Sequence, residues 1–114
     1  MKISNIIYFI ILSLYILTSS NVSYANSHNN NLKDVYEYLR NKEFYKALNE
    51  LKTLSQENKP KAQLLYAKIL YSGEITTQDF EMSYFWANTS KLGGLKKSSN
   101  LLDKLNNLIN DENK

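Results

Sequence analysis

The chain of 114 residues contains no cysteine. That absence excludes disulfides, thiol nucleophiles and cysteine-based zinc sites. Histidine occurs once, at His28, which excludes a His-pair metal motif and leaves little room for His-based acid–base catalysis. There is one proline and there are three glycines. The period-two alternation of half-buried strands is missing too, so an all-α protein is expected. The formal charge is only +3 and is spread along the chain, unlike the clustered Lys/Arg face of a nucleic-acid binder. Gly93-Gly94 is not followed by the Lys-Ser/Thr of a phosphate loop.

Long hydrophobic runs are also scarce. Lys2 precedes one, Ile6 to Leu17, interrupted only by Ser13. As a helix it would span about 18 Å, against the ~30 Å of a hydrocarbon core. Ser23-Tyr24-Ala25 then places small residues three and one before a possible cut. This is the pattern of a signal peptide over 1–25 with cleavage after Ala25; an uncleaved anchor is the alternative. Residues 26–31, with His28 among them, read as a polar leader, 32–109 as the folded domain, and 110–114 as a polar tail.

What the domain does have is a repeat. Phe44-x-x-Ala47-Leu48-x-x-Leu51 is matched 36 residues on by Phe80-x-x-Ser83-Tyr84-x-x-Ala87. Ala62-x-x-Leu65-Tyr66-x-x-Ile69 is matched at the same offset of 36 by Ser98-x-x-Leu101-Leu102-x-x-Leu105. Each shows the i, i+3, i+4, i+7 face of an amphipathic helix. Asn58 and Gly94, again 36 apart, suit left-handed helix ends. Pro60 suits a first helical turn, and Thr76-x-x-Asp79 resembles a capping box. The pattern predicts five helices, over about 32–40, 43–56, 60–71, 77–92 and 95–109, with uncertain ends. Short links make neighbours antiparallel, so the expected fold is all-α, antiparallel α-hairpins in a short solenoid.

The stretch from Ala62 to Ser98 resembles a Sel1-like repeat, a relative of the TPR family. Ala62, Tyr71 and Gly73 stand at opening-helix positions, with Ala67 where a glycine is usual. Asp79-Phe80 resembles the Asp-Tyr start of the second helix. Ser83 holds an alanine position, Trp86 the tryptophan position and Gly94 the closing glycine, whereas Ser90 and Lys91 replace two alanines. The preceding unit, linked by Asn41-Lys42, is more like a plain TPR hairpin. The resemblance implies an adaptor scaffold, often exported in bacteria, with no catalytic residues and no cofactor or metal.

Trp86 is accordingly expected in the core. Tyr84, Phe85 and Trp86 cannot share one helical face, so at least one is expected to be exposed. Asp79 and Glu81, and Glu37, Glu43, Glu50 and Glu57, read as caps and solvated charges. In TPR-like solenoids the first helix of each hairpin lines the concave side. Leu64, Lys68 and Tyr71, with their equivalents Asn100, Lys104 and Asn107, are therefore candidate partner contacts, extended by Tyr36 and Tyr38. The expected function is an exported, non-catalytic adaptor for a protein or peptide. It would engage neither nucleic acid nor, after cleavage, a membrane. A cell-envelope enzyme accessory or weak hydrolase working through carboxylates is one alternative. A self-associating structural subunit, a homo-oligomer of this chain, is the other. Val35, Tyr36, Tyr38 and Leu39 on the first helix are expected to leave the N-terminal hairpin an exposed, sticky end where a partner or a second copy docks.

Overall fold

The computed structural model describes residues 3, 5–7 and 31–112. The cleavage motif at 23–25, the leader with His28, and residues 113–114 lie outside the described residues. The described residues hold helices and no strands. No helix among them is long and apolar enough to cross a membrane.

The domain runs through α1 (Leu32–Arg40), α2 (Phe44–Gln56), α3 (Pro60–Ser72), α4 (Phe80–Leu92), a 3-10 turn (Lys96–Ser98) and α5 (Ser99–Glu112). Each helix packs on the next in sequence. The α3–α4 pair is antiparallel, because the same two helices meet at both ends. Ser83 Oγ donates to Ala67 O at 2.7 Å, and Ser90 Oγ donates to Pro60 O at 2.7 Å.

Local chemistry sets the helix ends. Asn31 Oδ1 accepts from the amides of Lys33 and Asp34, at 2.8 and 3.4 Å, and so caps α1. Asp79 Oδ1 accepts from Met82 N at 2.9 Å and caps α4. The expected capping box with Thr76 is therefore corrected. Asp79 is the N-cap itself, and the helix starts at Phe80, not 77. The preceding residues are held as a loop by Asp79 N to Leu70 O at 2.9 Å and by Gln78 Nε2 to Tyr71 O at 2.9 Å. That loop also fixes Gly73 at φ +68°, where an added Cβ would lie 2.8 Å from Gln78 Cβ.

Three helix ends share one geometry. Lys42, Asn58 and Gly94 have φ of 59°, 59° and 100°. Behind each, the next amide reaches back to the carbonyl five residues earlier: Glu43 to Tyr38 at 2.8 Å, Lys59 to Leu54 at 3.2 Å and Leu95 to Ser90 at 3.1 Å. This is the Schellman pattern, which satisfies the last carbonyls and turns the chain sharply. Asn58 and Gly94 behave as their residue types suggest. Lys42 does not advertise its left-handed backbone in the sequence.

The 36-residue offset recurs in the helix bounds. The bounds 44–56 of α2 become 80–92 in α4, and the start of α3 at Pro60 becomes the start of the 3-10 turn at Lys96. Ala47, Leu51 and Ala62 are fully buried, and so are Ser83, Ala87 and Ser98 at the same offset. Not every paired position is equal. Phe44 and Tyr84 are 36 % and 37 % exposed, at the edge of the packing.

Two apolar clusters form the core. Val35, Ala47, Leu51, Leu54, Ala62 and Ile69 make the first. Leu64, Ala67, Leu70, Trp86, Leu101 and Leu105 are central to the second. α3 supplies both clusters from opposite sides, and Tyr66 touches each. The stripe expected on α3, from Ala62 to Ile69, is thus only one of its two buried faces. Between them Gln63 is buried, its Nε2 donating to Ser55 O at 2.9 Å. That bond removes the cost of burying the amide donor.

The positions of the Sel1-like resemblance fall as follows. Trp86 is buried, 5.9 Å from the Tyr66 ring and edge-on to Phe85 at 4.9 Å. Tyr84 and Phe85 are the exposed members of that trio. Phe80 is half-buried against Tyr71, with ring centres 5.6 Å apart. Ser90 is fully buried and also meets Ser98 Oγ at 2.8 Å, while Lys91 points to solvent. The helix expected over 95–109 begins instead with the 3-10 turn, and α5 continues through residues 110–112 of the expected tail. Ile109, near the end of α5, is 47 % exposed.

Candidate functional site

An open trough crosses α3 and α5. Its deeper part has a volume of about 360 Å³ and is lined by Leu64, Lys68, Tyr71, Asn100, Leu101 and Lys104, with Lys97 at one side. Five of the proposed contacts, on two helices, are therefore brought together: Leu64, Lys68, Tyr71, Asn100 and Lys104. Asn107, the sixth, is exposed but does not line this hollow. Lys97 and Leu101 join the site without having been anticipated. Both were open to view, since 97 lies 36 residues after Lys61 and 101 lies 36 after Leu65.

A shallower depression of about 100 Å³ continues the trough toward α1. It shares Leu64, Lys68 and Lys97 with the deeper part and adds Leu32, Tyr36, Lys61 and Leu65. Alternate helices thus line one surface, with α2 and α4 packed between them. The floor is leucine. The walls are four exposed lysines: Lys61, Lys68, Lys97 and Lys104. No Asp or Glu lines either part.

Electrostatically, the trough lysines differ from Lys46. Lys46 pairs with Glu43, and the hydrogen bond and then the charge of that carboxylate raise its pKa above the usual lysine value. The four trough lysines have no carboxylate partner among the described residues.

Tyr36 and Tyr38 part company. Tyr36 is 54 % exposed and borders the trough. Tyr38 is half-buried against the first core cluster, with Lys46 Nζ 5.6 Å from its ring centre. Two positions apart on a helix is about 200°, so the two tyrosines face opposite ways. The picture of a sticky first helix is corrected accordingly: Val35 is fully buried, Tyr38 and Leu39 pack on the core, and only Tyr36 is free of it. Tyr38→Ser is therefore expected to lower the denaturation midpoint by the equivalent of ~1–3 kcal/mol, and Tyr36→Ser to leave it within ~0.5 kcal/mol. Equal midpoints for the two variants would overturn this assignment.

A second hollow, of about 460 Å³, lies where α2 turns into α3 and α4 into the 3-10 turn. Leu32, Leu54, Pro60 and Leu95 give it an apolar lining. Sequence reasoning missed it. The available signal was Gly93, which touches Pro60 so closely that a Cβ would lie 2.8 Å from its Cγ.

Among the described residues no Asp or Glu is buried. None of them joins a cluster of three or more potential metal ligands. Compared with protein-family models, characterised proteins and solved structures, the chain matches none. The class that stands at this point is an all-helical domain with an open lysine-walled trough.

Proposed function

We propose that the chain is an exported, non-catalytic adaptor of the Sel1-like, TPR-like kind, a short α-hairpin solenoid that holds a segment of another protein in its trough. One observation carries this reading: α1, α3 and α5 line a common open surface with a leucine floor and four lysines that have no carboxylate partner among the described residues. The coincidence of helix bounds, buried positions and Schellman turns at an offset of 36 supports the solenoid. Chemistry through paired carboxylates has little to work with, because such a pair must face across a cleft and the trough holds none. Export rests on Lys2, the short apolar run and Ser23-x-Ala25. A mature N-terminus at Asn26 belongs to the same reading.

Self-association is the second reading. Its specific support is the first hairpin, where Tyr36 is 54 % and Tyr45 79 % exposed.

Site-specific photo-crosslinking separates the two. A crosslinker at Asn100, inside the trough, should give an adduct with a different protein, and one at Tyr45, on the outer side of α2, should not. Adducts only at Tyr45, or only a dimer of this chain, would replace the adaptor reading with the self-association one.

A further inference from the structure

The trough lysines form a grid. Lys61 and Lys68 lie seven residues apart on α3, and Lys97 and Lys104 lie seven apart across the 3-10 turn and α5. Lys97 is Lys61 moved on by 36, and Lys104 is Lys68 moved on by 36. Seven residues are nearly two helical turns, so each pair shares a helix face about 10–11 Å apart along the axis. Between the two rows lie Leu64 and Leu101, which line the deeper hollow.

From this grid we infer that the partner segment is an extended acidic peptide carrying two carboxylates three residues apart with an aliphatic side chain between them. The inference rests on the adaptor reading and names its ligand. In the extended polyproline II conformation a chain rises about 3.1 Å per residue and residues three apart share a face, so two carboxylates three residues apart stand about 9 Å apart on the side facing one row, close to the spacing of its lysines. A carboxylate at each end meets an ammonium, and the intervening side chain covers the leucine floor. Four cations with no carboxylate partner among the described residues attract such a segment over the length of the trough and repel basic ones. A nucleic acid fits less well. Its phosphates gain nothing from a leucine floor, and no arginine, the residue that grips phosphate in a fork, lines the trough.

The test uses the full chain and a fluorescein-labelled peptide, Ser-Glu-Leu-Ser-Glu-Gly. Saturable binding that weakens with salt is expected. Replacing both glutamates by glutamine should weaken it at least tenfold. Lys68→Glu with Lys104→Glu should also cost at least tenfold, because each row then holds one cation and one anion. All four lysines are exposed, so the variant should keep its helical circular dichroism. Should it not, Lys68→Gln with Lys104→Gln serves in its place and should lose the acidic peptide by the same factor. Equal binding of the glutamine peptide, or unchanged binding by the variants, overturns the inference. So does tighter binding of a single-stranded oligonucleotide or of phosphatidylglycerol vesicles. If the acidic peptide fails while Asn100 still crosslinks to a protein, the acidic ligand is wrong and the adaptor stands. If both fail, both readings fall.

Discussion

Leu105→Ala is expected to destabilise the domain by about 2–5 kcal/mol, the range for deleting a fully buried leucine side chain. Leu105 has no exposed surface and sits in the second core cluster with Trp86, Leu101 and Leu102. Backbone constraints limit how far the site can collapse. The 3-10 turn is tied to α4 through Ser90 and Ser98, and α4 to α3 through Ser83 and Ser90. The neighbours of Leu105 cannot all follow the missing methyl groups. Domains are stable by only ~0.05–0.15 kcal/mol per residue, so one described by roughly 80 residues has about 4–12 kcal/mol in total. A single alanine therefore removes a large share. Urea unfolding monitored by circular dichroism should show a much lower midpoint. A shift equivalent to under ~1 kcal/mol would mean that α5 does not close the core.

Ser83→Leu should be nearly as damaging, and more so than Ala47→Leu. Both positions are fully buried and lie 36 residues apart, where neighbouring helices approach closely. Leucine at either overpacks the crossing, at about 1–3 kcal/mol. At Ser83 the change also removes the hydroxyl bond to Ala67 O at 2.7 Å, a further ~0.5–1.5 kcal/mol. Ser83→Ala separates the two effects, because it loses the hydrogen bond without adding volume. The expected order of midpoints is parent, then Ser83→Ala, then Ala47→Leu, then Ser83→Leu. An unchanged midpoint for both leucine variants would mean that the helical register is wrong.

Much of the helical framework was legible because apolar spacing and helix-end residues agreed. α1 occupies the expected 32–40, and α2 and α3 lie within one residue of expectation at each end. Asn58 and Gly94 turn left-handed as their residue types suggest. The misses have physical reasons. α3 is buried on two sides, so its apolar residues spread around the helix, and a single amphipathic stripe captures only half of them. Gln63 reads as a surface residue, yet it is buried by a hydrogen bond to Ser55 O that no local pattern encodes. Thr76 matched a capping motif that depends on the path of the loop, and the loop is set by Gln78 and Asp79 bonding back to α3. Tyr38 was paired with Tyr36 by chemistry, although two residues on a helix point apart. In the trough, Lys68 and Lys104 emerged because the repeat was applied to α3. Applying it one turn earlier would have added Lys61 and Lys97.

A trough that receives a partner segment must respond to that segment along its own lining. The most direct measurement is an amide NMR titration of the isotope-labelled full chain with the Ser-Glu-Leu-Ser-Glu-Gly peptide. The trough reading predicts that the largest shifts fall on Leu64, Lys68, Lys97, Asn100 and Lys104, with Tyr45, Met82 and Phe85 unmoved. Shifts concentrated instead at Leu54, Pro60 and Leu95, around the apolar hollow, or on the outer sides of α2 and α4, would contradict it.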